Sequence, residues 1–240
     1  MARFISIKKY GLHIQWLVFL LSTFFIALAV SWMMLAKVNF AYPLLYDYAG
    51  IGDNIVVFAS KNKIKPDFDQ SSRAEHLALF SGIVTSLHQH GEGLAELTYH
   101  TKKGTEISLL TNAEILHLQD VANLYDKMKW LAWGALFIWL GSVVIQRRSQ
   151  VDVFTVSLLP YVFALPLIIL AVLAIGAEKI FYKLHTLVFP DGHQWFFYYE
   201  ESLMSMMMKA PDLFAYIAVM LVFLAIFFTT GIFWVYRRYQ

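Results

Sequence analysis

The sequence contains no cysteine. That single absence excludes disulfides, thiol nucleophiles, iron–sulfur ligation and thiol–quinone chemistry. Charge is scarce too: 15% of the 240 residues are charged and the net charge is +2, against about 25% charged residues in a soluble domain. No basic stripe interleaves with aromatics, which argues against nucleic acid as a partner. There is no G-x-S-x-G, no H-E-x-x-H and no Walker loop. Glu114-x-x-His117 occurs once, so a di-iron bundle lacks half its ligands. No histidine lies well inside a long apolar run, which argues against a haem-bearing four-helix cytochrome.

What the chain has is apolar length. It is 59% hydrophobic, with a mean hydropathy of +0.56. Four runs, 14–36, 129–146, 154–177 and 213–236, are each long enough to cross a hydrocarbon core of about 30 Å. Pro160 and Pro166 are expected to kink the third. The first run is too long for a signal-peptide core and is expected to be retained. Arg3, Lys8, Lys9, Arg147, Arg148, Arg237 and Arg238 flank the runs on one side. The positive-inside rule makes 1–13, 147–153 and 237–240 cytoplasmic, and 37–128 and 178–212 extracytoplasmic. The expected fold is an α-helical integral membrane protein with four transmembrane helices. A small extracytoplasmic α/β cap and an interfacial aromatic segment complete it.

In the cap, Leu77, Phe80, Val84 and Leu87 predict a helix over 71–89, with Gly91 suiting its end. Residues 96–100 and 105–110 alternate as the arms of a hairpin around Lys102-Lys103-Gly104. Residues 54–59 predict one more strand. Thr111-Asn-Ala-Glu114 is a capping box, so a helix should start there and run through His117 and Asp120 into the second span.

The 178–212 segment is too polar and broken to be a span. Pro190-Asp191-Gly192 predicts a tight turn. Trp195 to Tyr199 is a run of five aromatics, the kind that settles at a membrane surface. From Tyr199 to Lys209 the pattern predicts an amphipathic turn or two, Glu200 and Glu201 at its start and Lys209 at its end. Met204 and Met206 to Met208 suit a soft lipid- or substrate-facing surface, or a membrane-anchoring stripe.

Chemistry converges on few residues. Glu114, His117 and Asp120 share one helix face, and His185 begins the other outer segment. Two facing histidines can accept and donate protons near neutral pH, and an acid beside one ring fixes its tautomer. Plainer roles are available: Glu114 as cap only, Asp120 as a salt-bridge partner, His117 as an interfacial histidine, His193 as a turn residue, the aromatics as a belt. A metal-dependent hydrolase using His117, His185, His193 and an acid is one alternative. A non-enzymatic sensor or assembly factor is another.

Glu114-Ile-Leu-His117-Leu-Gln-Asp120-Val121 precedes a span, and His185-Thr-Leu-Val-Phe189 is followed by Trp195, Pro211 and Phe214. Together, in this order, they resemble the motifs of the bacterial lipoprotein intramolecular transacylases. The resemblance implies transfer of the acyl chain at the middle glycerol position of a diacylated lipoprotein to the α-amine of its N-terminal cysteine. It implies His117 and His185 as the catalytic pair, with no metal and no cofactor. His185 is expected as base and His117 as acid, with Glu114, Asp120 and Asp191 in support. Trp195, Phe196, Tyr198, Tyr199, Met204 and Met208 are expected to hold acyl chains. The implied partners are the lipoprotein substrate and membrane lipids, at the face of the membrane opposite the termini.

Overall fold

The computed structural model describes residues 2–149 and 174–239. Most of the third expected span, Pro160 and Pro166 included, lies outside these residues. Among the described residues, three helices are long and apolar enough to cross a membrane: Gly11–Lys37, Asn112–Arg148 and Asp212–Arg238. The chain divides into two compact units. One holds Met1–Met33, Met128–Gly176 and Val219–Gln240; the other holds Met34–Lys127 and Ala177–Ala218.

The first unit is built on the long helices α1 (Ala2–Lys37), α5 (Asn112–Ser149) and α8 (Asp212–Arg238). Its core is aromatic. Phe19 lies 4.9 Å from Tyr236 and 5.3 Å from Phe233, ring centroid to centroid. Buried hydroxyls are satisfied locally: Ser22, Thr23 and Ser31 each donate to the carbonyl four residues back. Without water, that is the nearest acceptor a helix offers. Gln146, 1% exposed, donates to Ser142 Oγ and accepts from Tyr236 Oη, which satisfies it among apolar neighbours.

The second unit carries α2 (Tyr42–Tyr48), α3 (Ile51–Ala59), α4 (Arg73–His88), the hairpin β1 (Thr98–His100) and β2 (Glu106–Ser108), the start of α5, α6 (Ala177–Val188), and α7 (Leu203–Met207). The α4 and hairpin expectations hold. Ser72 Oγ caps α4 by accepting from Glu75 N, and Tyr99 pairs with Ile107 in an antiparallel register. The capping box forms as read: Thr111 N donates to Glu114 Oε2 at 2.6 Å, and Glu114 N to Thr111 Oγ1 at 3.3 Å.

Two local expectations fail. Residues 54–59 are not a strand; they belong to α3. The β-branched Ile55-Val56-Val57 stretch suggested extension, but burial follows helical spacing. Ile51, Ile55 and Ala59 point inward, while Val56 is 75% exposed. The 199–209 segment is not an amphipathic surface helix. Only Leu203–Met207 is helical, and Met204, Met206, Met207 and Met208 are all at most 5% exposed. Those methionines pack under α3. Tyr42 Oη and Asn54 Nδ2 donate to the carbonyls of Met207 and Met206 at the C-terminus of this short helix. The "α/β" element reduces to one short hairpin in a mostly helical unit.

Candidate active site

The site is assembled within the second unit from the start of α5, the end of α6 and the extended stretch after it. The capping box fixes where α5 begins, and therefore which face carries His117. Glu114, His117, Leu118 and Ala122 are buried, a helical i, i+3, i+4, i+8 stripe. At 38 residues, α5 is about 57 Å long. That exceeds a hydrocarbon core of about 30 Å.

His117 and His185 face each other with ring centroids 6.1 Å apart. They were 68 positions apart with nothing in the sequence to show that they meet. Phenylalanines surround them. Phe189 sits 4.9 Å from His117 and 5.1 Å from His185. Phe181 lies 4.0 Å from His185 with its ring tilted, Trp195 lies 5.0 Å from it, and Phe197 is 6.0 Å from His117.

This apolar shell acts on protonation. Burial, joined by the neighbouring His185 and opposed by Asp120, pushes His117 down to about 4. Burial also lowers His185, against the opposing effect of the Phe181 carbonyl. Both rings are therefore neutral at neutral pH. His185 Nδ1–H donates to Phe181 O at 2.8 Å. That bond fixes the tautomer and leaves Nε2 with a free lone pair. His117 Nδ1 is buried without a hydrogen-bond partner among the described residues.

The acids do other work than expected. Glu114 does not touch His117. Its carboxylate takes Thr111 N and, at 2.5 Å, the Ser202 hydroxyl. Asp120 accepts from His193 Nδ1 at 2.6 Å. Asp191 is exposed in the turn, with no described hydrogen bond or ion pair to either histidine. Among the described residues, no group of three His, Asp or Glu could hold a metal ion.

The aromatic run is extended, so its rings alternate. Trp195, Phe197 and Tyr199 are partly buried, while Phe196 is 43% and Tyr198 62% exposed. Trp195 reaches His185, Tyr199 Oη donates to Ala210 O, and Phe196 and Tyr198 face away. Sequence reasoning missed Phe181, Phe189 and Phe197 as the walls, and read His193 as a turn residue or an alternative metal ligand, not as the partner of Asp120. The alternation along 195–199 was a usable signal for Phe197. His193 left none, since its partner is 73 positions away.

Long apolar helices define a multi-pass membrane protein, and the desolvated histidine pair ringed by aromatics is its candidate site. The profile of the family described as lipoprotein intramolecular transacylase Lit matches residues 15–214. The chain belongs to that family, and is thus an acyltransferase. Solved structures share its fold. The membrane integral lipoprotein intramolecular transacylase Lit from Bacillus cereus matches with a TM-score of 0.68 at 18% identity, over 95% of both chains. A variant of it with one histidine changed to arginine matches with a TM-score of 0.68 at 16% identity, over 99% of this chain and 95% of that one. No curated protein matches the sequence.

Proposed function

We propose that His117 and His185 are the catalytic pair of this transacylase. They move the acyl chain at the middle glycerol position of a lipoprotein's diacylglyceryl group to the α-amine of its N-terminal cysteine. The observation that carries the reading is the pair itself: two neutral, desolvated imidazoles, one with its tautomer fixed and the other with an unpartnered ring nitrogen.

The substrate amine arrives largely as ammonium, with an ordinary pKa of about 7.7–8.0. His185 Nε2 takes one proton, and the free amine attacks the ester carbonyl. The new C–N bond forms and the bond from carbonyl carbon to glycerol oxygen breaks. Nitrogen loses two protons in all: one ends on the glycerol oxygen and one leaves to solvent. His117, neutral at rest, suits relaying the second proton from the attacking nitrogen to the departing glycerol oxygen, because an imidazolium with a pKa of about 4 gives up the proton readily once it has taken it. No nucleophilic side chain is required, since donor and acceptor belong to one molecule and the transfer is effectively unimolecular. Trp195, Phe197 and Phe189 would bound the acyl chain nearest the ester. Tyr199 would back the Trp195–Phe197 stretch, with Met204 and Met208 beneath. Phe196 and Tyr198, facing away, would meet lipid.

The reading places four spans in the bacterial cytoplasmic membrane, both termini inside, and the site on the outer face. The basic residues at the ends of α5 and α8 support that orientation. Residues 37–128 would then form the outer cap, with 178–212 completing the site.

The test is mass spectrometry of a lipoprotein's N-terminal peptide from cells with the wild-type chain, His117→Ala or His185→Ala. Each variant should insert normally and lose transfer by roughly 10²- to 10⁴-fold. Wild-type product from either would remove that histidine from the mechanism.

A further inference from the structure

Two hydrogen bonds fasten one stretch of chain to α5 on either side of His117. Ser202 Oγ donates to Glu114 three residues before it, and His193 Nδ1 donates to Asp120 three residues after it. Between them runs the strap 193–202. It brings Trp195 to 5.0 Å from His185 and Phe197 to 6.0 Å from His117.

The two fastenings differ. Ser202 and Glu114 are each 1% exposed. Ser205 reinforces that end, its backbone N donating to Ser202 Oγ and its hydroxyl to Phe197 O. The His193 and Asp120 side chains are 33% and 12% exposed. That end follows the turn at Gly192, whose φ of +87° gives it a conformation L side chains rarely adopt. Water can replace the outer bond, while nothing can replace the inner one. His117 itself is 8% exposed, and Phe197 of the strap is one of the rings beside it.

We propose that His193 is a positioning residue for acyl transfer: its bond to Asp120 closes the outer end of the strap and presses Trp195 and Phe197 against the histidine pair, and its release admits the lipid-anchored substrate. The inference rests on the reading of His117 and His185 as the reacting pair. The buried Glu114–Ser202 bond is the hinge and the partly exposed Asp120–His193 bond is the latch.

The experiment uses the full chain in detergent or nanodiscs, with two readouts. One is hydrogen exchange across 193–199; the other is kcat and KM for a synthetic diacylated lipopeptide. In His193→Ala, exchange across the strap should rise at least about tenfold. Turnover should fall roughly ten- to a hundredfold as the rings lose register, with KM within about threefold. His193→Asn keeps an N–H where Nδ1–H stood and should restore both readouts. Asp120→Ala should reproduce the exchange effect of His193→Ala. Unchanged exchange in His193→Ala, or an Asn variant as defective as the Ala variant, overturns the latch. Transfer surviving in His117→Ala and His185→Ala overturns the underlying reading and the positioning role with it. That failure is distinguishable, because strap exchange still responds to His193→Ala.

Discussion

Glu114 separates a structural role from a catalytic one. The carboxylate is 1% exposed. It accepts from Thr111 N at 2.6 Å and from Ser202 Oγ at 2.5 Å, and it stands near enough to the Lys65 ammonium to favour its charged form. Glu114→Ala removes the acceptor and strands a backbone N–H and a hydroxyl. Each orphaned group costs about 1–3 kcal/mol, and the cap itself about 1. Together a loss of about 3 kcal/mol is expected, equivalent to a fall in Tm of roughly 6–12 °C for a chain of this size. Glu114→Gln keeps an acceptor for Thr111 N, and Ser202 Oγ can accept from the new amide, so about 1 kcal/mol is expected. The assay is thermal unfolding of the purified protein, paired with transfer kinetics. Glu114→Gln should keep activity within about threefold. If Glu114 oriented His117, the Gln variant would lose about 10²-fold in kcat at nearly unchanged Tm, and that result would refute the structural assignment. Equal Tm losses in Gln and Ala would refute the hydrogen-bond arithmetic.

Stability should fall in acid. His76 is 4% exposed, holds Tyr46 Oη and Ser71 Oγ on its two ring nitrogens, and is pushed down to about 4 by burial. A depressed histidine contributes fully above its unfolded value near 6.5 and loses that contribution as pH falls toward 4, up to about 3 kcal/mol. His76→Gln should remove about half of the measured decline, since His117 shares the same depression. For the reaction, kcat/KM should rise with pH and level off near the ordinary α-amine value of about 7.7–8.0; a single limb near 6.5 would instead point to an unshifted histidine. Phe197→Ala should slow transfer about tenfold or more, whereas Tyr198→Ala, whose ring is 62% exposed, should leave it within twofold. Equal effects would contradict the alternation of the rings.

How much was legible depended on range. The capping box at Thr111, the α4 helix and the hairpin were read correctly because each rests on interactions within a few residues. The 51–59 stretch misled because β-branched propensity is weak beside a helical face that has something to pack on. The methionines misled for a related reason: periodicity marks an apolar face but not whether lipid, substrate or protein covers it. Here protein does.

The sequence by itself determined the membrane class, through apolar runs whose length answers directly to bilayer thickness. It determined the start of α5, since a capping box is a local hydrogen-bond pattern. Its motif pairing placed the chain in its family. Only the tertiary structure decided that His117 and His185 lie 6.1 Å apart, and that Phe181 O fixes one tautomer. Only it turned Phe197 inward and gave Asp120 to His193. Those are contacts between segments distant in sequence, or orientations that follow from them. No local pattern encodes them, because each is selected by the packing of the whole unit.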